Sequence, residues 1–147
     1  MKPKVVLVTG VFDVIHGEHV KFLKKAKQLG DKLVVALESD YRVKKLKGKD
    51  RPINSQKIRK NNLEKLKLAD KVMILPEKFD TPEDHLKFLR LIKPDILAVS
   101  SHTAHQKQKR HLMQMIGGEL VVAHQHNPEI STTKLIKTGQ IRVKPKS

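Results

Sequence analysis

Two histidines three residues apart, His16 and His19, stand where an apolar run gives way to a helical pattern in VVLVTGVFDVIHGEHVKFLKKA. Val5 to Val8 is a short β-branched stretch of the kind shown by a strand covered on both faces, and Val20, Phe22, Leu23, Ala26 and Leu29 then recur at helical spacing. The segment predicts a strand, a bend supplied by Gly10, and a helix. A helix start offers unpaired backbone N–H groups and the positive end of its dipole, and residues three apart on a helix share a face. Two imidazoles aimed the same way at such a junction are suited to hold an anion, phosphate above all. On spacing alone the pair could equally be polar surface residues, so its neighbours have to decide.

Two further stretches carry phosphate chemistry. NPEISTTKLI puts Ser131, Thr132 and Thr133 at a helix start, where hydroxyls and free backbone N–H groups can hold phosphate oxygens; capping alone needs only one of the three. SDYRVKKLKGKDRPIN crowds Lys44, Lys45, Lys47 and Arg51 into one polar loop from Ser39 to Asn54, which reads as a solvated basic surface of the sign that draws phosphorylated ligands. His102 with His105, and His124 with His126, are pairs without a third or fourth ligand at recognisable spacing, so no metal site is expected and they read as surface or supporting residues.

Positioning these residues requires an alternating fold. Beyond the first strand and helix, Lys32 to Glu38, Lys71 to Leu75, Asp95 to Val99 and Glu119 to Ala123 read as strands. Helices are predicted over Ser55 to Leu68, with Ile58, Leu63 and Leu66 inward, from the cap-and-proline start Thr81-Pro82-Glu83-Asp84, over about Ala104 to Ile116, and from Ser131 to Thr138. Five strands alternating with helices and no hairpin signals imply right-handed crossovers, hence an α/β, Rossmann-like three-layer α/β/α domain on a five-stranded parallel sheet. Ligands of such sheets bind beyond the carboxyl ends of the strands, where all of these polar stretches fall; the dinucleotide fingerprint GxGxxG is missing from the first turn.

A chain of 147 residues predicts one domain, over residues 1–138, followed by a basic tail over 139–147. No apolar run approaches a membrane span, no secretory pattern precedes the first strand and there is no cysteine, so a soluble, cytoplasmic protein without thiolate chemistry is expected. The net charge is +16, and residues 21–71 alone hold 17 basic and 6 acidic side chains. Such a field draws phosphorylated ligands and non-specific nucleic acid alike. Aromatic content of 3% leaves no stacking platform for single strands, so a basic face around a phosphate site is expected, and no specific nucleic-acid partner.

The string Gly10-x-Phe12-Asp13-x-x-His16-x-x-His19 resembles the G-x-F-D-x-x-H-x-G-H signature of the cytidylyltransferase-like nucleotidyltransferases, and Ile130-Ser131-Thr132-Thr133 resembles their I-S-[ST]-T motif. The resemblance runs from Val5 to Ile136. Asp40 with Lys47-Gly48 and Arg51-Pro52 looks most like the heptose 1-phosphate adenylyltransferases, whereas PEISTTK is as close to glycerol-3-phosphate cytidylyltransferase. The resemblance implies transfer of a nucleoside monophosphate from an NTP, ATP before CTP, to a phosphorylated small molecule, with Mg2+ accompanying the NTP, and a homodimer. It implies catalytic roles for His16, His19, Lys47 and Arg51. Nucleotide contacts would come from Thr9, Gly10, Val11, Phe12, Asp13, His16, His19, His126, Ser131, Thr132 and Thr133, and acceptor contacts from Asp40, Lys44, Ser101 and His102. Three positions depart from the pattern: Glu18 replaces the glycine of H-x-G-H, Ser100-Ser101-His102 stands where heptose-type relatives have G-G-D, and His126 replaces an arginine.

Overall fold

An unalternating β-branched run has to be covered on both sides, and in the computed structural model, which describes residues 2–125, Val5–Gly10 (β1) lies at the centre of the sheet. The remaining elements are α1 (Gly17–Lys27), β2 (Lys32–Leu37), α2 (Asp40–Lys47), α3 (Gln56–Lys65), β3 (Lys71–Ile74), α4 (Pro82–Ile92), β4 (Ile96–Ser100), α5 (Gln106–Met115) and β5 (Glu119–His124). All strand pairs are parallel, in the order β3-β2-β1-β4-β5, which bears out the expected α/β class. The helix expected from Ser131, the residues His126, Ser131, Thr132 and Thr133, and the basic tail lie outside the described residues.

Side chains alternate across β1. Val6 and Val8 join Leu23 and Ala26 of α1 and Leu63 of α3 in one core, while Leu7 joins Phe88 and Leu89 of α4 and Leu112 and Met113 of α5 in the other. Strand order reverses between β1 and β4, the position where open sheets bind ligands. The register shows the crevice directly. Strand β1 pairs with β2 over its whole length, Val5 to Gly10, yet with β4 only at Val6–Ile96 and Leu7–Leu97. Above that level the two strands part.

Three expectations about local structure need correction. The stretch after Ser39 is not all loop but contains α2: the Ser39 hydroxyl accepts from the Arg42 N–H at 3.2 Å, Asp40 sits in the first turn, and Lys44, Lys45 and Lys47 meet the negative end of the dipole. In α3 Ile58 is 48% exposed, and the inward position belongs to Arg59, which lies one and two turns before Leu63 and Leu66. The left-handed residue after β1 is Phe12 (φ 49°), not Gly10. Gly10 is needed for close approach instead, since a Cβ there would stand 2.8 Å from the buried Phe12 ring.

Candidate active site

The crevice above β1 and β4 opens into a cavity of about 300 Å³ whose walls include Thr9, Gly10, Val11, Phe12, Asp13, His16, His19, Lys47, Arg51 and His102. His16 is the N-cap of α1 and His19 its third residue; their rings stack at 3.8 Å, 22° from parallel. The His16 backbone N–H donates to His19 Nδ1 at 3.2 Å, so the neutral His19 ring carries its proton on Nε2 as a donor. The edge of the Phe12 ring meets His19 at 5.1 Å and fixes the plane of that donor. A side-chain acceptor three residues into a helix satisfying the cap backbone N–H is an ordinary device, normally built with Glu or Gln. Here an imidazole serves instead, and the anion-attracting end of α1 is lined by two of them.

The basic side of the cavity is anchored from below. Asp13, 2% exposed, accepts from Arg51 Nε at 3.0 Å and from the backbone N–H groups of Ile53 and Asn54 at 2.7 and 2.8 Å. Asn54 Nδ2 returns a bond to the Asp13 carbonyl at 2.6 Å. Asp13 thus ties the loop after α2 to the turn after β1, and Arg51 reaches the cavity held by one edge of its guanidinium. Beneath this lies Arg59, fully buried. Its guanidinium donates to the carbonyls of Asn54, Val11 and Glu38 and to Asp40 Oδ1, at 2.8 to 3.0 Å. One side chain thereby joins the ends of β1 and β2 to the start of α2. Asp40 is turned to this network and to the Gln56 N–H, away from the cavity.

Glu18 is explained by the opposite wall. It is buried and meets His124 Nε2 at 2.5 Å, while Lys25 Nζ lies 3.0 Å from His124 Nδ1. An ammonium only donates, so His124 accepts at Nδ1 and donates from Nε2: a neutral imidazole bridges a lysine and a carboxylate. Strict alternation would send His124 with Leu120 to the α4 and α5 side. The β4–β5 register slips between Val99 and Ser100, pairing Ser100 with His124, and this bulge turns the ring to α1. The Glu18 carboxylate is therefore directed to β5 rather than to an anion over the histidines. Ser100 and Thr103 complete this wall, with Ser100 Oγ 2.9 Å from His102 Nδ1.

Of the residues expected to carry chemistry, the structure gathers Thr9 to Asp13, His16, His19, Lys47, Arg51 and His102 around one space. Asp40, Lys44 and Ser101 do not line it. Sequence reading missed Arg59 and the role of His124. Arg59 was findable, because a basic residue four before Leu63 and seven before Leu66 shares their face; the bulge that re-aims His124 leaves no sequence signal. For a metal, the carboxylates that line the cavity among the described residues are Asp13 and Glu18, both bonded within the protein. A cation entering with a triphosphate would thus be held by phosphate oxygens.

Known proteins resemble this chain in sequence and in fold. The family model described as Cytidylyltransferase-like matches residues 7–138. The bifunctional protein HldE of Campylobacter concisus is 51% identical over 96 residues, which are 65% of this chain and 19% of that protein. The HldE of Campylobacter fetus is 40% identical over 116 residues, 79% of this chain and 23% of that protein. The chain thus spans about a fifth of the length of the curated relatives it matches. Among solved structures, the lipopolysaccharide core biosynthesis protein from Thermoplasma volcanium superimposes with a TM-score of 0.70 at 27% identity, covering 86% of this chain and 98% of that one. A pantoate-beta-alanine ligase from Francisella tularensis (TM-score 0.64, 16% identity, 94% of this chain and 69% of that one) shares the fold alone. With the family match running from β1 past the end of β5, and two stacked histidines capping the helix after β1, this chain belongs to the cytidylyltransferase-like family of nucleotidyltransferases.

Proposed function

We propose that this chain transfers a nucleoside monophosphate from an NTP, ATP foremost, to a sugar phosphate and releases pyrophosphate. The observation that carries the reading is the stacked His16–His19 pair at the α1 N-terminus, facing Lys47 and Arg51 across one cavity. An acceptor phosphate oxygen attacks the α-phosphorus; the bond to the bridging oxygen breaks, and pyrophosphate leaves with the electron pair. No covalent intermediate is required. His19 Nε2–H and the α1 N-terminus donate to the α-phosphate as it gains charge, and Lys47 and Arg51 offset the charge on the departing phosphates. Bound with the triphosphate, magnesium would supply further charge neutralisation. The preference for ATP and a sugar 1-phosphate follows from Asp40, Lys47-Gly48 and Arg51-Pro52, which resemble the heptose 1-phosphate adenylyltransferases, and from the 51% identity to HldE.

The test is pyrophosphate release with each of the four NTPs against sugar, polyol and nucleotide phosphates. Turnover with ATP and a sugar 1-phosphate is expected, falling about 10²- to 10³-fold in His19→Ala with the fold retained. Turnover confined to CTP and a polyol phosphate would move the chain to the cytidylyltransferase reading; tight nucleotide binding with silence across the panel would make it a non-catalytic binder.

A further inference from the structure

Helix α1 holds a single acidic residue, Glu18, and it lies between the two histidines at the second position of the helix. It is buried, whereas Gly17 is exposed and His16, His19 and Val20 are half-buried. Farther along, Leu23 and Ala26 seat the helix in the core. The first turn contributes no buried apolar side chain of its own, so the contact that docks it on β5 is polar, Glu18 to His124. A carboxylate is a costly choice for an inward position unless it is paired and hydrogen-bonded, and here it is both.

His124 holds α1 at two levels. Its Nε2 meets Glu18 Oε2 at 2.5 Å, and its Nδ1 lies 3.0 Å from Lys25 Nζ. Glu18 and Lys25 stand two turns apart on one face, so one imidazole from the end of β5 brackets about 10 Å of helix, beginning at the turn that carries His16 and His19. The imidazole is itself tied to β4. The His124 carbonyl accepts from the Ser101 N–H at 2.9 Å, and the bulge pairs His124 with Ser100. Strands β1 and β4 part above Leu7–Leu97, and Ser100, His102 and Thr103 line the cavity on the β4 side. The Glu18–His124 bond therefore joins the histidine wall of the cavity to the β4–β5 wall across the crevice.

We propose that Glu18 is a positioning residue for nucleotidyl transfer: through His124 it sets the first turn of α1 against the β4–β5 wall and so holds His19 Nε2–H in line with the α-phosphate. The inference rests on the transferase reading above and gives a role to the residue that departs from H-x-G-H. Donors that stabilise a transition state act only when already aligned, and a displacement of about 1 Å can cost about 10²-fold in rate.

The experiment measures kcat, and KM for the NTP that turns over best, with acceptor and magnesium saturating and well below each variant's melting temperature. The variants are Glu18→Ala, Glu18→Gln, His124→Phe and the double Glu18→Ala/His124→Phe. Glu18→Ala should lower kcat at least about tenfold with KM within about twofold, because lost alignment is felt in the transition state. Glu18→Gln, whose side-chain carbonyl can still accept from His124 Nε2–H, should recover most of that kcat. His124→Phe should also lower kcat, and the double variant should fall no further than the worse single, the mark of one shared contact. An unchanged kcat in Glu18→Ala, even with a lowered melting temperature, would leave Glu18 a structural residue and overturn the proposal. A raised kcat or a lowered KM would mark an obstructing carboxylate and overturn it too, as would equal losses in the alanine and glutamine variants or additive losses in the double. In all of these cases the transferase reading stands. A wild type silent with every NTP and acceptor would remove both.

Discussion

At the scale of single residues, Arg59 sets the geometry of the site without entering it. It is completely buried, and its donors satisfy three carbonyls and one carboxylate drawn from three different stretches of chain. Removing one partner from such a buried network leaves the others unpaired, which is costlier than the net worth of the bonds themselves. Arg59→Met is therefore expected to destabilise the protein by about 3–5 kcal/mol in chemical denaturation. Arg59→Lys should recover only part of it, because a point charge cannot reproduce the planar fork. A cost below about 1 kcal/mol would show that water replaces the guanidinium. Glu18 teaches a related lesson: a carboxylate between His16 and His19 looks obstructive in sequence, but its partner His124 is more than a hundred residues away, at the far end of the sheet.

At the scale of elements, α4 combines a strong start with a titratable inner face. Thr81 and Asp84 form a capping box, with Asp84 accepting from the Thr81 N–H and Thr81 Oγ1 accepting from the Asp84 N–H, both at 3.1 Å. That start was legible from Thr81-Pro82-Glu83-Asp84 alone. One turn on, His85 packs inward, and burial holds its imidazole below the usual value despite its bond to the Phe79 carbonyl. As pH falls, the unfolded chain takes up this proton first. The stability His85 contributes is thus complete above about pH 6.5 and is lost as pH drops through its lowered folded value. The wild type should lose more melting temperature between about pH 7.5 and 5.5 than His85→Phe, which keeps the ring stack. Parallel losses would assign the pH sensitivity elsewhere.

At the scale of the whole molecule, a net charge of +16 accompanies a cavity lined by His16, His19, Lys47 and Arg51. Long-range attraction of this kind speeds the capture of phosphorylated ligands but carries no base information. A random DNA duplex bound at about 50 mM salt should be released by about 200 mM, without sequence preference. Retention of one sequence at the higher salt would make nucleic acid a partner in its own right. Among the described residues no helix is long and apolar enough to cross a membrane. The sequence by itself determined the parallel α/β order, the strand-to-helix turn that carries His16 and His19, and, among the described residues, the gathering of polar stretches at one end of the sheet. Hydrophobic period, turn residues and helix starts are local, and each leaves its mark within a few positions. Only the tertiary structure decided that Asp13 and Arg51 form one anchor, that Arg59 replaces Ile58 on the inner face of α3, and that a bulge turns His124 to Glu18. Those outcomes depend on pairing register and on partners distant in the chain, which no local pattern encodes.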